Sequence, residues 1–196
     1  MQSEKEKMLS GKPYSPFDKE LAAERLKAKE IIFNFNSRRP TEVKEQKQDL
    51  VQLFTKTPKR FYIEPPFRCD YGYNIEIGIN FFANYNLTIL DCAKVTIGDH
   101  VMLGPNVAIY TAAHPIHHTI RNKHYEHALP ITIGDNVWIG GNVVINPGVT
   151  IGANTVIGSG SVVTKDIPSN VIAVGNPCTI KREITEEDKD YFNSKV

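Results

Sequence analysis

From Ile133 to Val163 the chain advances in steps of six residues. Ile133-Gly-Asp-Asn-Val-Trp is followed by Ile139-Gly-Gly-Asn-Val-Val, Ile145-Asn-Pro-Gly-Val-Thr, Ile151-Gly-Ala-Asn-Thr-Val and Ile157-Gly-Ser-Gly-Ser-Val. An aliphatic residue leads each line, Gly usually follows, and the fifth place holds Val, Thr or Ser. Upstream, Ile97-Gly-Asp-His-Val-Met and Leu103-Gly-Pro-Asn-Val-Ala keep the same phase, and Tyr73 to Lys94 is a weaker version. A six-residue period fits neither an amphipathic helix nor simple strand alternation, and a sandwich needs turns about 8–12 residues apart. It fits a prism: each repeat gives one short strand as a face and one corner, with the leading aliphatic inside and a small fifth residue filling a narrow interior. Three repeats close one turn, and turns stack at the strand spacing of about 4.8 Å. The fold expected is an all-β solenoid, a parallel β-helix of hexapeptide repeats. Periodicity does not set its hand, and the general crossover preference points to a right-handed coil.

The flanks lack the repeat. Residues 1–58 read as a helical segment, with Ser15-Pro-Phe-Asp at the start of one helix, Pro40-Thr41 at the start of a second and Pro58 closing it. Such helices could cover the open end of a solenoid. Residues 59–182 form the coil domain, interrupted at 111–130 by a loop that holds five of the six histidines. Loops of that length on a compact solenoid are usually functional or disordered. Residues 183–196 are expected as a short helix and tail, opened by Thr185-Glu-Glu-Asp.

Charge is balanced, 23 Lys+Arg against 22 Asp+Glu, so nothing points to a nucleic-acid surface. The charged N-terminus leads into no apolar stretch, so no signal peptide is expected, and no run is long enough for a membrane span. Cys69, Cys92 and Cys178 are widely spaced and odd in number. They suit buried thiols in a reducing, cytoplasmic compartment better than a disulfide framework or metal site.

Several motifs besides the repeats carry a resemblance. They are Tyr110-Thr-Ala-Ala-His114-Pro-Ile, Phe67-Arg-Cys-Asp70-Tyr-Gly-Tyr-Asn and Pro130-Ile-Thr-Ile-Gly-Asp-Asn-Val-Trp138-Ile-Gly. With them the chain, from Glu4 to about Arg182, resembles the maltose/galactoside O-acetyltransferases, and most nearly the maltose acetyltransferase branch. The resemblance implies a left-handed coil, a homotrimer, and active sites between neighbouring prisms, each completed by the loop of one subunit. It also implies transfer of acetyl from acetyl-CoA to a sugar hydroxyl such as one of maltose, glucose or a related glycoside.

An alcohol attacks a thioester only if its proton is removed as the bond forms. A positioned imidazole, with an ordinary pKa of about 6.5, suits that task. His114 matches the family's catalytic histidine. Asp70 and Asn84 match positions that hold the acceptor sugar, and Glu126 could orient His114 or touch the sugar. Gly141 matches a backbone N–H donor to the oxyanion. Trp138, Ser159, Thr164, Lys165 and Arg182 match positions along the CoA arm and its phosphates. Pro16 and Cys92 stand where the galactoside branch has acidic acceptor contacts, and Thr179 where it has a basic CoA contact. The first two put galactoside preference in doubt. This chemistry requires no metal, and the zinc hydratases that share the fold place histidines on the repeats, where this chain has only His100. Two other readings compete: transfer to a different hydroxyl, that of serine or an antibiotic, and a hexapeptide scaffold without catalysis.

Overall fold

The computed structural model describes residues 2–193. Met1 and the last three residues of the tail expected over 183–196 lie outside them. The repeats form a three-faced coil of about six turns, and it is left-handed. The crossover preference that favours the opposite hand comes from the twist of longer strands feeding a helix. Most strands here have two or three residues, too short to develop much twist. The corners instead take their direction from residues in the left-handed region, including His100, Asn106, Asn136, Asn142 and Asn154, with φ of 57 to 59°.

The first face stacks Ile75–Ile77, Val95–Ile97, Ile131–Ile133 and Thr150–Ile151. The second stacks Phe61–Ile63, Phe81–Ala83, Met102–Leu103, Trp138–Ile139, Val156–Ile157 and Val171–Val174. The third stacks Arg68–Cys69, Thr88–Leu90, Ala108–Tyr110, Val144–Ile145 and Val162–Val163. Leading aliphatics fall in register, as in Ile77, Ile97, Ile133 and Ile151, and point into one continuous core. The fifth-place residues are buried with them, Thr155 and Ser161 included. Those two hydroxyls donate to Pro168 O at 2.9 Å and Gly158 O at 2.6 Å, which is how polar atoms fit an apolar interior. Side-chain amides stack along the corners, Asn136 to Asn154 to Asn170 at 2.9 Å each.

Residues 111–130 leave the third face after Tyr110 and return at Ile131, which pairs with Val95 as though no residues intervened. The insertion is a hairpin, Ala112–Ala113 against His127–Ala128, carrying a single helical turn at His118–Arg121.

Three helices precede the coil: α1 (Glu4–Leu9), α2 (Lys19–Ser37) and α3 (Val43–Leu53). Ser3 and Glu6 close a reciprocal capping box on α1, a helix the apolar markers did not reveal. Asp18 caps α2 through bonds from Glu20 N and Leu21 N, so Pro16 stands ahead of the helix and outside its first turn. Likewise α3 ends well before Pro58, because Phe54 turns extended and enters the core. Ile32 and Phe35 of α2 and Leu50 and Leu53 of α3 pack on Ile63, Phe67 and Ile75, covering the open end of the coil. At the other end Val171–Val174 pairs antiparallel with Thr179–Glu183, a hairpin beyond the last recognisable repeat.

Candidate active site

Asp70 follows the third-face strand Arg68–Cys69, in a turn organised from below by Asp91. Asp91 is wholly buried and accepts from the backbone N–H of Asp70 (3.0 Å), Tyr71 (2.9 Å) and Gly72 (2.7 Å). Burial pushes its carboxyl up to about 7, opposed by the N–H donors and reinforced by the neighbouring Asp70. Asp70 itself is raised by burial, while the Cys92 thiol, 3.5 Å away, and the Arg25 guanidinium pull it down.

The same prism edge carries the insertion, so Asp70, His114 and Glu126 come to one cleft of about 570 Å³. His114 Nε2 faces Glu126 Oε2 at 3.7 Å; the imidazole is 57 % exposed and the carboxylate 12 %. That separation is beyond a direct hydrogen bond, so the two communicate by charge. Pro16 and Cys92, the departures from the galactoside pattern, both line this cleft. So do Arg25, Phe17, Tyr71, Arg121 and His124, which sequence reasoning did not single out. Arg25 donates to the Tyr71 hydroxyl at 2.6 Å and to Pro16 O. Phe17 meets the His124 ring edge-on at 5.4 Å. No local motif marks Arg25, Arg121 or His124, because α2 and the insertion meet only in the folded chain. Among the described residues, no cluster of three or more His, Cys, Asp or Glu is arranged to hold a metal ion.

The remaining candidates sit elsewhere. Asn84, Gly141 and Ser159 share the edge between the second and third faces, where Asn84 N donates to Leu103 O and Gly140 N to Ile157 O. The stack is tight: a Cβ on Gly140 would come within 2.6 Å of Ser159 N, and one on Gly104 within 2.5 Å of Gly141 N. At equivalent turns a carboxylate takes the free N–H, as Asp135 does for Asp99 at 2.7 Å. Among the described residues Gly141 N–H has no such acceptor. Trp138, on the second face and 53 % exposed, shares an open groove with Arg182. Arg182 is committed to Asp188 by two bonds of 2.8 and 2.6 Å. Thr164 and Lys165 follow Val163 at the same edge as Asp70, and both are exposed. The candidates thus divide between two edges of one prism: Asp70, His114, Glu126, Thr164 and Lys165 on one, Asn84, Gly141 and Ser159, with Trp138 and Arg182 beside them, on the other.

Comparison with known proteins settles the kinship. A family model described as the maltose acetyltransferase hexapeptide capping motif matches residues 7–58, and one for six bacterial transferase hexapeptide repeats matches 130–165. The galactoside O-acetyltransferase of Escherichia coli K12 is 48 % identical over 187 residues, covering 95 % of this chain and 92 % of its own. This chain belongs to the maltose/galactoside O-acetyltransferase family. A crystal structure of a maltose O-acetyltransferase from Clostridium difficile 630 superposes with a TM-score of 0.93 at 54 % identity, covering 94 % of this chain and 99 % of its own. Galactoside acetyltransferase in complex with coenzyme A gives 0.94 at 46 % identity, covering 96 % and 94 %. Members of the maltose/galactoside O-acetyltransferase family are acyltransferases, and the chain is an enzyme of that class.

Proposed function

We propose that the protein transfers acetyl from acetyl-CoA to a hydroxyl of a sugar, maltose, glucose or a related glycoside, with His114 as general base. The observation that carries this reading is the meeting of His114, Glu126 and Asp70 in one cleft beside the cap. Asp70 accepts hydrogen bonds from acceptor hydroxyls and fixes the sugar. As the acceptor oxygen attacks the thioester carbonyl, His114 Nε2 takes its proton, and Glu126 stabilises the imidazolium that results. The former carbonyl oxygen becomes an oxyanion, to which Gly141 N–H donates. Collapse expels the CoA thiolate, which receives the proton from His114.

One chain cannot supply all of these groups at one point, since Gly141 and Asn84 lie on a different prism edge from His114. We therefore place the site between subunits of a homotrimer, the edge with Asn84, Gly141 and Trp138 facing the His114 edge of a neighbour. The pantetheine arm then runs along Trp138 and Ser159, with Thr164, Lys165 and Arg182 toward the phosphates. Relatives bound to coenzyme A and to acetyl coenzyme A support the co-substrate. The three unpaired, buried cysteines suit the cytoplasm, and among the described residues no helix is long and apolar enough to cross a membrane.

The test is thiol release from acetyl-CoA by wild type and His114→Ala, over maltose, glucose, galactosides, serine and chloramphenicol. Sugar-dependent release should fall by roughly 10²–10⁴-fold in the variant. Undiminished release there refutes the general base. Absence of release with every acceptor, together with no CoA binding, returns the scaffold reading.

A further inference from the structure

One buried side chain of the N-terminal cap, Tyr14, holds a residue of the cleft from behind. Tyr14 is 0 % exposed, packed among Met8, Leu21, Cys92 and Ala128, and its hydroxyl donates to Glu126 Oε1 at 2.5 Å. The other oxygen of that carboxylate is the one facing His114 Nε2 at 3.7 Å. The main chains of the same two residues are also clasped: Tyr14 N donates to Glu126 O at 3.0 Å, and Glu126 N to Tyr14 O at 3.2 Å. We propose that Tyr14 is a positioning residue for acetyl transfer, holding Glu126 turned toward His114 so that the carboxylate stabilises the imidazolium formed when the acceptor loses its proton. The inference rests on His114 being the general base.

Glu126 lies on an insertion, and a glutamate there would ordinarily turn its carboxylate to water and keep its rotamer freedom. The backbone clasp fixes where its side chain begins, and the phenol fixes where it ends. Among the described residues no other group donates a hydrogen bond to that carboxylate. Asp70, Cys92, Arg25, Arg121 and His124 also face the cleft, and none is tied to it. Burial, with Cys92 and Glu126 alongside, raises the Tyr14 phenol far above its ordinary range, so it remains a donor throughout the working range of the enzyme. A hydrogen bond to a charged acceptor in a dry setting is among the stronger kinds. Because Glu126 acts on His114 through charge alone, the effect depends on separation and direction, which are what the phenol controls.

The test compares Tyr14→Phe, which deletes only the hydroxyl, in the native background and in a Glu126→Ala background, with sugar-dependent thiol release as the readout. In the native background kcat should fall roughly tenfold, with KM for acetyl-CoA and for the sugar within about twofold of wild type. With Glu126→Ala already present, Tyr14→Phe should change kcat by less than about twofold, because the carboxylate it positions is then gone. Equal losses in both backgrounds, or a loss expressed in KM, would make Tyr14 merely structural and overturn the proposal. Glu126→Gln leaves Tyr14 and the backbone clasp in place and should lower kcat at least as much as Tyr14→Phe; full turnover there also overturns it. A wild type inactive on every sugar, or an active His114→Ala, would sink the proposed function itself. An active wild type and a dead His114→Ala, with Tyr14→Phe unchanged, would sink only the role of Tyr14.

Discussion

Asp70 is held at its place by Asp91 and touched only lightly by its other neighbours, which leaves its oxygens available to an acceptor. Asp70→Ala should raise the acceptor KM by roughly 10- to 100-fold, the worth of a hydrogen bond to a charged group, with KM for acetyl-CoA near normal. Steady-state kinetics varying each substrate in turn checks this; a change confined to acetyl-CoA would contradict the placement. Arg182 and Asp188 give a second residue-scale expectation. The guanidinium fork and Thr185 N hold the Asp188 carboxyl at about 2, below its ordinary value of about 3.9. A depressed carboxyl contributes stability that is complete above its unfolded value and lost as pH falls through the folded one. The hold of Asp188 on the C-terminal segment should therefore persist at pH 4 and fail near pH 2. Carboxyl carbon-13 titration should show that midpoint, and Arg182→Met should return it toward the ordinary range.

The elements show which parts of the molecule a sequence can announce. Ile133, Ile139 and Ile145 recur because each performs the same task one face further round the prism, so the coil was legible from its period. The motif around His114 was legible because it is continuous in the chain. Tyr14 and Glu126 lie 112 positions apart, and Arg25 enters the cleft from the outer course of α2; no spacing rule encodes such meetings. Asp91 was equally silent, since a lone aspartate after a strand reads as a turn residue until its N–H donors are seen. The asparagine stack separates two contributions to the corner. Asn154 both adopts a left-handed φ of 58° and links Asn136 to Asn170. Asn154→Gly loses only the links, whereas Asn154→Ala also incurs about 1–2 kcal/mol of backbone strain. Chemical denaturation followed by circular dichroism should rank the Ala variant less stable than the Gly variant by about 1 kcal/mol or more; the reverse order would mean that the left-handed corner imposes no such strain.

For the whole molecule, the division of candidates between two prism edges makes a prediction that no single chain can satisfy. In the proposed homotrimer, His114→Ala and Asn84→Ala should each be strongly impaired when assembled alone. Coassembled at equal ratio, they should recover roughly a quarter of wild-type activity, since random mixing leaves that share of interfaces with both native residues. Mixtures as inactive as their parents would place both residues in one subunit's site. The insertion, finally, departs after Tyr110 and rejoins at Ile131 in unbroken register. Length is therefore free at this one corner: residues can be added to or taken from the appendage without shifting the steps of the column. Acceptor choice is not free in the same way, because Asp70 and Cys92 meet the cleft from the column itself.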